Sequence, residues 1–172
     1  MTKGLYTTWG NDALFLLMQA CGGHGYLEAA GFGPQLNRVF PSAIYEGVNT
    51  MLLMQVATEL DKTFRKVFKE GASASTLNSL KYFKDGLELL EYQAPSNKDS
   101  ARDFGVYWKV FAKCVLFYVK KSALQRQELV MVQKKIGPRD AFDMKSGITL
   151  QDASILHGIL ITLQFFSDKI VA

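Results

Sequence analysis

Apolar residues recur at helical spacing along most of this 172-residue chain, and no stretch keeps the period-2 alternation of a half-buried strand. That property restricts the chain to an all-α fold, a helical bundle whose members bury apolar stripes against one another. Five segments carry the pattern. The first is expected from about Asn11, with Asn11 or Asp12 as cap, through Gln19. It stops at Gly22-Gly23, because paired glycines favour backbone conformations that a helix cannot continue. Apolar residues fill every side of this helix, which predicts burial over most of its circumference.

From His24 to Gly47 the glycines and prolines predict irregular chain, with a short helix through 35–39 and Pro34 in its first turn. Asn49 is read as the cap of a long helix reaching about Lys69, with Leu52, Leu53, Val56, Leu60, Phe64 and Val67 on its apolar positions. The small residues of 71–75 mark a flexible connection between two domains, 1–70 and 76–172. Three more helices are expected beyond it. One spans about 76–92 and ends before Pro95, and one runs from Ser100 to about Ile136 and ends at Gly137-Pro138. The last begins at Thr149, where Thr149 and Asp152 have capping-box spacing, and reaches about Ile170.

An apolar share of 48% with 21% charged residues is that of a folded globular chain, not a disordered one. The net charge of +4 is mild, and clusters such as Lys62, Arg65, Lys66 and Lys69 read as solvated helix faces, with attraction of an acidic ligand such as a nucleotide phosphate as the other reading. No motif points to nucleic acid. Cys21 and Cys114, with His24 and His157, lack the spacing of a disulfide framework or a metal site. Cys21 reads as a small buried packing residue and His157 as a packing histidine. Phe104, Tyr107, Trp108 and Phe111 share one helix face and read as core, with a surface for a partner subunit as the other reading. The longest apolar runs are too short to span a bilayer. Residues 1–9 lack a signal-peptide pattern, and the final Lys169-Ile170-Val171-Ala172 is no Ser-Lys-Leu-type peroxisomal address.

Two segments are not explained by bundle building. One is Gln19-Ala20-Cys21-Gly22-Gly23-His24-Gly25-Tyr26; the other is Tyr45-Glu46-Gly47-Val48-Asn49-Thr50, followed by Gln55-Val56-Ala57. The second sets a carboxylate between irregular chain and a helix start, beside a glycine that lets a flat ligand or another backbone come close. A glutamate in an apolar setting has a raised pKa, which suits general-base work. The plainer reading is an acidic residue favoured near a helix N-terminus.

In order, spacing and flanking helices the two motifs resemble the acyl-CoA oxidase branch of the acyl-CoA dehydrogenase superfamily, over roughly residues 9–60. The later helices fit the second C-terminal helical domain of the oxidases in a general way. The resemblance implies that Glu46 removes the Cα proton of a fatty acyl-CoA while a hydride leaves Cβ for the flavin of FAD, giving the trans-2-enoyl-CoA. Oxygen then takes the electrons and leaves as hydrogen peroxide. By the same resemblance the backbone N–H of Glu46 helps hold the thioester carbonyl, and Tyr45 and Gly47 lie against the substrate. Gln19, Gly22, Gly23, Asn49 and Thr50 match cofactor-contacting positions, the glycine pair facing the pyrophosphate of FAD bound mainly by the other subunit of a homodimer. The family's compartment is the peroxisome.

This sequence departs from the pattern at Val48, where a polar or acidic residue is common, and at Thr58, where Arg often follows. The family's N-terminal helical domain and middle β-domain are also outside it. The chain alone is therefore expected to be incomplete and inactive, needing the missing half as a partner. A non-catalytic helical scaffold derived from the family, and an acyl-CoA dehydrogenase, stay open as other readings.

Overall fold

The computed structural model describes residues 2–70, 77–97, 103–132, 137, 140 and 146–170, and among these every regular element is helical. The all-α class is what the periodicity requires. The chain divides into two compact units, Met1–Leu53 and Met54–Ala172, with the boundary inside one helix. The expected connection at 71–75 lies outside the described residues.

In the first unit, α1 (Thr2–Ala20) starts nine residues before the expected Asn11. Threonines and Gly10 at its start look like helix breakers, yet Thr7 and Thr8 return their hydroxyls to the carbonyls of Lys3 and Gly4, at 2.7 and 2.8 Å. Asn11, read as a cap, is instead buried in mid-helix. Nor is α1 buried all round: only Gly4, Leu5 and Asn11 are buried, while Leu16 and Leu17 are 62% and 59% exposed. The helix does stop at the glycine pair, with Gly22 at φ 58°.

The stretch from His24 to Gly47 is more regular than its glycines and prolines suggest. It holds a single turn α2 (Gly23–Tyr26), α3 (Phe32–Val39) with Pro34 in its first turn, and two 3₁₀ turns, Glu28–Ala30 and Phe40–Ala43. Gly25 is required by packing, since a Cβ there would collide with the Met18 carbonyl. Cys21 is exposed and is no packing residue. Helix α4 (Asn49–Glu70) begins where expected.

The second unit is built around Ala57, Leu60, Phe64 and Val67 of α4. They pack with Ala112, Val115, Leu116 and Val119 of α6 (Phe104–Gln127) and Leu150, Ala153 and Leu160 of α7 (Gly147–Ile170). The helix expected over 76–92 is mostly a 3₁₀ segment, Asn78–Asp85, followed by the short α5 (Gly86–Glu91). The 3₁₀ segment buries Leu80, Tyr82 and Phe83, and α5 continues with Gly86 and Leu89 buried.

Helix α6 starts at Phe104, not Ser100, because Asp103 is extended and accepts the Gly105 N–H at 2.7 Å as N-cap. It passes into a π turn, Glu128–Val132, and residues 133–136 of the expected helix lie outside the described set. Of its aromatic face, Trp108 and Phe111 pack on the core, while Phe104 and Tyr107 are exposed. Thr149 does not cap α7; it is inside the helix and bonds Gln125 at 3.2 Å.

His157 is a packing histidine, buried with Nδ1 3.0 Å from the Tyr82 hydroxyl. Burial lowers its pKa from 6.5 to about 4 and pushes that of Tyr82 well above 10.

Candidate active site

The Tyr45-Glu46-Gly47 motif forms the turn between the 3₁₀ segment Phe40–Ala43 and α4. Its backbone is unusual. Glu46 has φ 57°, the positive value that side-chain-bearing residues adopt rarely, and Gly47 follows at φ 96°. A Cβ on residue 47 would sit 3.2 Å from Leu52 Cδ2 in a backbone region L-residues avoid, so glycine is needed there. Upstream, the amides of Ile44 and Tyr45 both donate to the Pro41 carbonyl, at 2.9 and 3.1 Å. Downstream, the Leu52 amide donates to the Val48 carbonyl at 3.1 Å.

Lys3, on the first turn of α1, closes the turn from the side. Its ammonium donates to the Gly47 carbonyl at 2.7 Å and to Asn49 Oδ1 at 2.9 Å, and lies 5.9 Å from the centre of the Tyr45 ring. The Asn49 amide nitrogen donates to Thr7 and Thr8 at 2.8 and 2.9 Å. Asn49 is thus buried and engaged across the helix pair, rather than acting as the simple cap of its own helix. Lys3, Thr7 and Thr8 carry no motif and were not legible as site residues. The available signal was a polar strip at i, i+4 and i+5 on an otherwise apolar helix.

The side chains of Tyr45, Glu46 and Thr50 are exposed on this unit, so the first unit itself gives the Glu46 carboxylate no apolar enclosure. Gln19 and the Gly22-Gly23 pair are also exposed, at the opposite end of α1. From Lys3 to Gln19 is 16 residues of helix, a rise of about 24 Å. The chain therefore brings Tyr45, Glu46, Gly47, Asn49 and Thr50 together but keeps the glycine pair apart from them. Neither glycine has any atom within 4 Å of the space a Cβ would fill, so their backbone is open to close approach. Gln19, Gly22 and Gly23 are thus exposed at one end of α1 and Thr50 at the other. The Asn49 side chain, already engaged, does not offer a free amide.

The second unit holds a cleft of about 650 Å³, lined by Tyr82, Trp108, Leu160 and Phe165 among others, and none of the motif residues reaches it. No described group of His, Cys, Asp and Glu could hold a metal ion, and no described helix is long and apolar enough to cross a membrane.

Residues 1–60 match the family model for the acyl-CoA oxidase C-alpha1 domain. The chain is similar to peroxisomal acyl-coenzyme A oxidase 2 of Rattus norvegicus, 27% identical over 157 residues, which are 88% of this chain and 22% of the relative. Its fold is that of part of Arabidopsis thaliana acyl-CoA oxidase 1, with a TM-score of 0.86 at 25% identity over 99% of this chain and 25% of that one. A Caenorhabditis elegans acyl-CoA oxidase-1, solved with FAD and ATP, gives a TM-score of 0.77 at 24% identity, over 98% of this chain and 24% of that one. The chain spans about a quarter or less of the length of these relatives.

Proposed function

We propose that this chain, similar over nearly its whole length to the C-terminal helical region of the acyl-CoA oxidases, is the catalytic-base portion of such an enzyme. On this reading residues 1–70 complete the flavin-associated helical domain and residues 76–172 form the second C-terminal domain. One observation carries the proposal: Glu46 sits at φ 57° on an exposed, built turn, with a glycine behind it and a helix start after it. A mere dipole-favouring residue has no need of that conformation.

The substrate is a fatty acyl-CoA, and the Glu46 carboxylate takes its Cα proton. As that proton leaves, negative charge grows on the thioester oxygen, where the Glu46 N–H stabilises it. Tyr45 and Gly47 leave room for the thioester beside the carboxylate. FAD, when bound, supplies the acceptor for the hydride from Cβ and the route of the electrons to O₂, so that acyl-CoA and O₂ give trans-2-enoyl-CoA and H₂O₂. Gln19, Gly22, Gly23 and Thr50 are the residues of this chain that would touch FAD, with Asn49 fixing the helix start beside Thr50 through Lys3, Thr7 and Thr8. The remaining enzyme, working as a homodimer in the peroxisome, supplies the enclosure around the Glu46 carboxylate.

The test is Glu46→Gln in an enzyme assembled with the remaining domains. Flavin should still bind, while its reduction by acyl-CoA falls by about 10²–10⁴-fold or more. Near-normal bleaching of the flavin band in a stopped-flow experiment would overturn the assignment.

A scaffold reading is favoured by the exposed apolar residues of the first unit, among them Leu16, Tyr26, Ile44 and Met51. It expects no turnover in the assembled wild type and effects of Glu46→Gln on association or stability alone.

A further inference from the structure

We infer that Lys3 is a positioning residue for the Glu46-Gly47 turn, holding the proposed base in its left-handed conformation from 43 residues upstream. The inference rests on the acyl-CoA oxidase reading only for its consequence in catalysis; the clamp itself stands on geometry.

Two consecutive positive φ values, 57° at Glu46 and 96° at Gly47, fix the direction in which the exposed Glu46 side chain leaves the backbone. For a glutamate this conformation is disfavoured, because Cβ crowds the following carbonyl, and it persists only where neighbouring contacts over-determine it. The Lys3 ammonium makes those contacts. It takes the Gly47 carbonyl at 2.7 Å, the peptide group directly after the strained pair, and so opposes rotation of that peptide back toward ordinary values. Its second hydrogen bond, to Asn49 Oδ1 at 2.9 Å, ties the same point to the first turn of α4. The Tyr45 ring, 5.9 Å away, brings the residue on the other side of Glu46 under the same cation.

Lys3 thus reaches residues 45, 47 and 49, on both sides of the carboxylate-bearing residue. Among the described residues it makes no ion pair with Glu46 itself. Its effect is on where the carboxylate points rather than directly on its charge. The α1 end of the clamp is firm. Thr7 returns its hydroxyl to the Lys3 carbonyl at 2.7 Å, and Asn49 donates to Thr7 and Thr8, so the lysine stem rises from a helix turn already locked to α4. Such a device suits a base whose reach to a substrate proton must be set to within a fraction of an ångström.

The experiment uses Lys3→Met, which keeps the aliphatic stem and removes the ammonium, and Lys3→Arg, which restores a cationic donor. In the full 172-residue chain, a glutamate-specific protease reads the Glu46–Gly47 bond directly, with Glu28 in the same unit and Glu88 in the other as internal references. Lys3→Met should accelerate cleavage after Glu46 by at least about tenfold over both references, with Lys3→Arg close to wild type. Equal acceleration after Glu28 and Glu46 would make Lys3 a general stabiliser of the unit and overturn the inference, as would no change at Glu46. In the assembled enzyme, Lys3→Met should lower the rate constant of flavin reduction by about 10- to 100-fold, with acyl-CoA affinity changed by less than about threefold and Lys3→Arg restoring most of the loss. A wild-type assembly that never reduces flavin, together with a positive protease result, would refute the enzymatic reading while the clamp stands. Faster cleavage with unchanged flavin reduction would refute the positioning role.

Discussion

Arg126 closes on Asp61 through both terminal nitrogens, Nη1 to Oδ2 at 3.0 Å and Nη2 to Oδ1 at 2.5 Å, inside the second unit. Asp61 is 1% exposed, and the half-exposed Arg65 shares its Oδ2 from one turn along α4. The pair joins α4 to the last turn of α6, just before the π turn. Arg126→Met should cost about 3–5 kcal/mol, because it leaves a buried carboxylate with one solvated partner. Asp61→Leu together with Arg126→Met should cost less than Arg126→Met alone, since no unpaired charge then remains. Urea unfolding followed by circular dichroism measures both, and a double variant that is the less stable one would contradict the account.

Acid should weaken the same unit in two stages. His157 has a pKa of about 4 in the folded chain against 6.5, because burial disfavours its charged form. As pH falls through 6.5 the unfolded chain takes up a proton that the folded chain refuses until about pH 4, so stability drops across that window and then levels. The gap between the two values corresponds to about 3 kcal/mol. At Asp61 burial alone would raise the pKa, but hydrogen bonds and charge from Arg126 and Arg65 outweigh it and hold the group below 3.8. Its contribution is present above pH 3.8 and is lost as pH falls through the lower folded value. His157→Gln should flatten the loss between pH 6.5 and 4 and leave the more acidic stage in place.

Two glycines in the first unit should respond to alanine with opposite signs. Gly10 is inside α1 with no atom within 4 Å of the space a Cβ would fill, so Gly10→Ala should stabilise by about 0.5–1 kcal/mol through helix propensity. Gly25 is buried with its missing Cβ aimed at the Met18 carbonyl, so Gly25→Ala should destabilise by about 1–3 kcal/mol. Thermal melts of the two variants should move in opposite directions, and a shared direction would mean that this unit's backbone is not as described.

Signals written into the backbone were legible in the sequence. Gly22-Gly23 ends α1, because a positive φ depends on residue type at one position. Signals that depend on a partner were not. Thr7 and Thr8 look like poor helix formers until their hydroxyls bond back one turn, and Asn49 looks like a cap until α1 lies beside it. The 3₁₀ segment Asn78–Asp85 was not legible either, since only Leu80 and Phe83 of its buried residues are three apart and buried Tyr82 breaks that spacing. The Glu46 motif was visible as residue types. Its clamp was not, because nothing in local spacing links Lys3 to Gly47.

The apolar residues that cover α1 are largely exposed, and they predict association. Leu16 and Leu17 are 62% and 59% exposed, and Tyr26, Ile44 and Met51 of the same unit are 91%, 65% and 61% exposed. The unit's own interior is slight, with Leu5 and Leu53 its buried large apolar residues. Water contact over so much apolar side chain costs about 25 cal/mol per Å², which covering surface would recover. Expressed by itself, the 172-residue chain should therefore sediment as a concentration-dependent oligomer and bind an apolar dye, while remaining colourless and forming no H₂O₂ from acyl-CoA. Leu16→Lys with Leu17→Lys should shift it toward monomer without loss of helix signal, because neither side chain supports the interior. A wild-type chain that runs as a dye-free monomer at all concentrations would show that this face is tolerated in water and needs no partner.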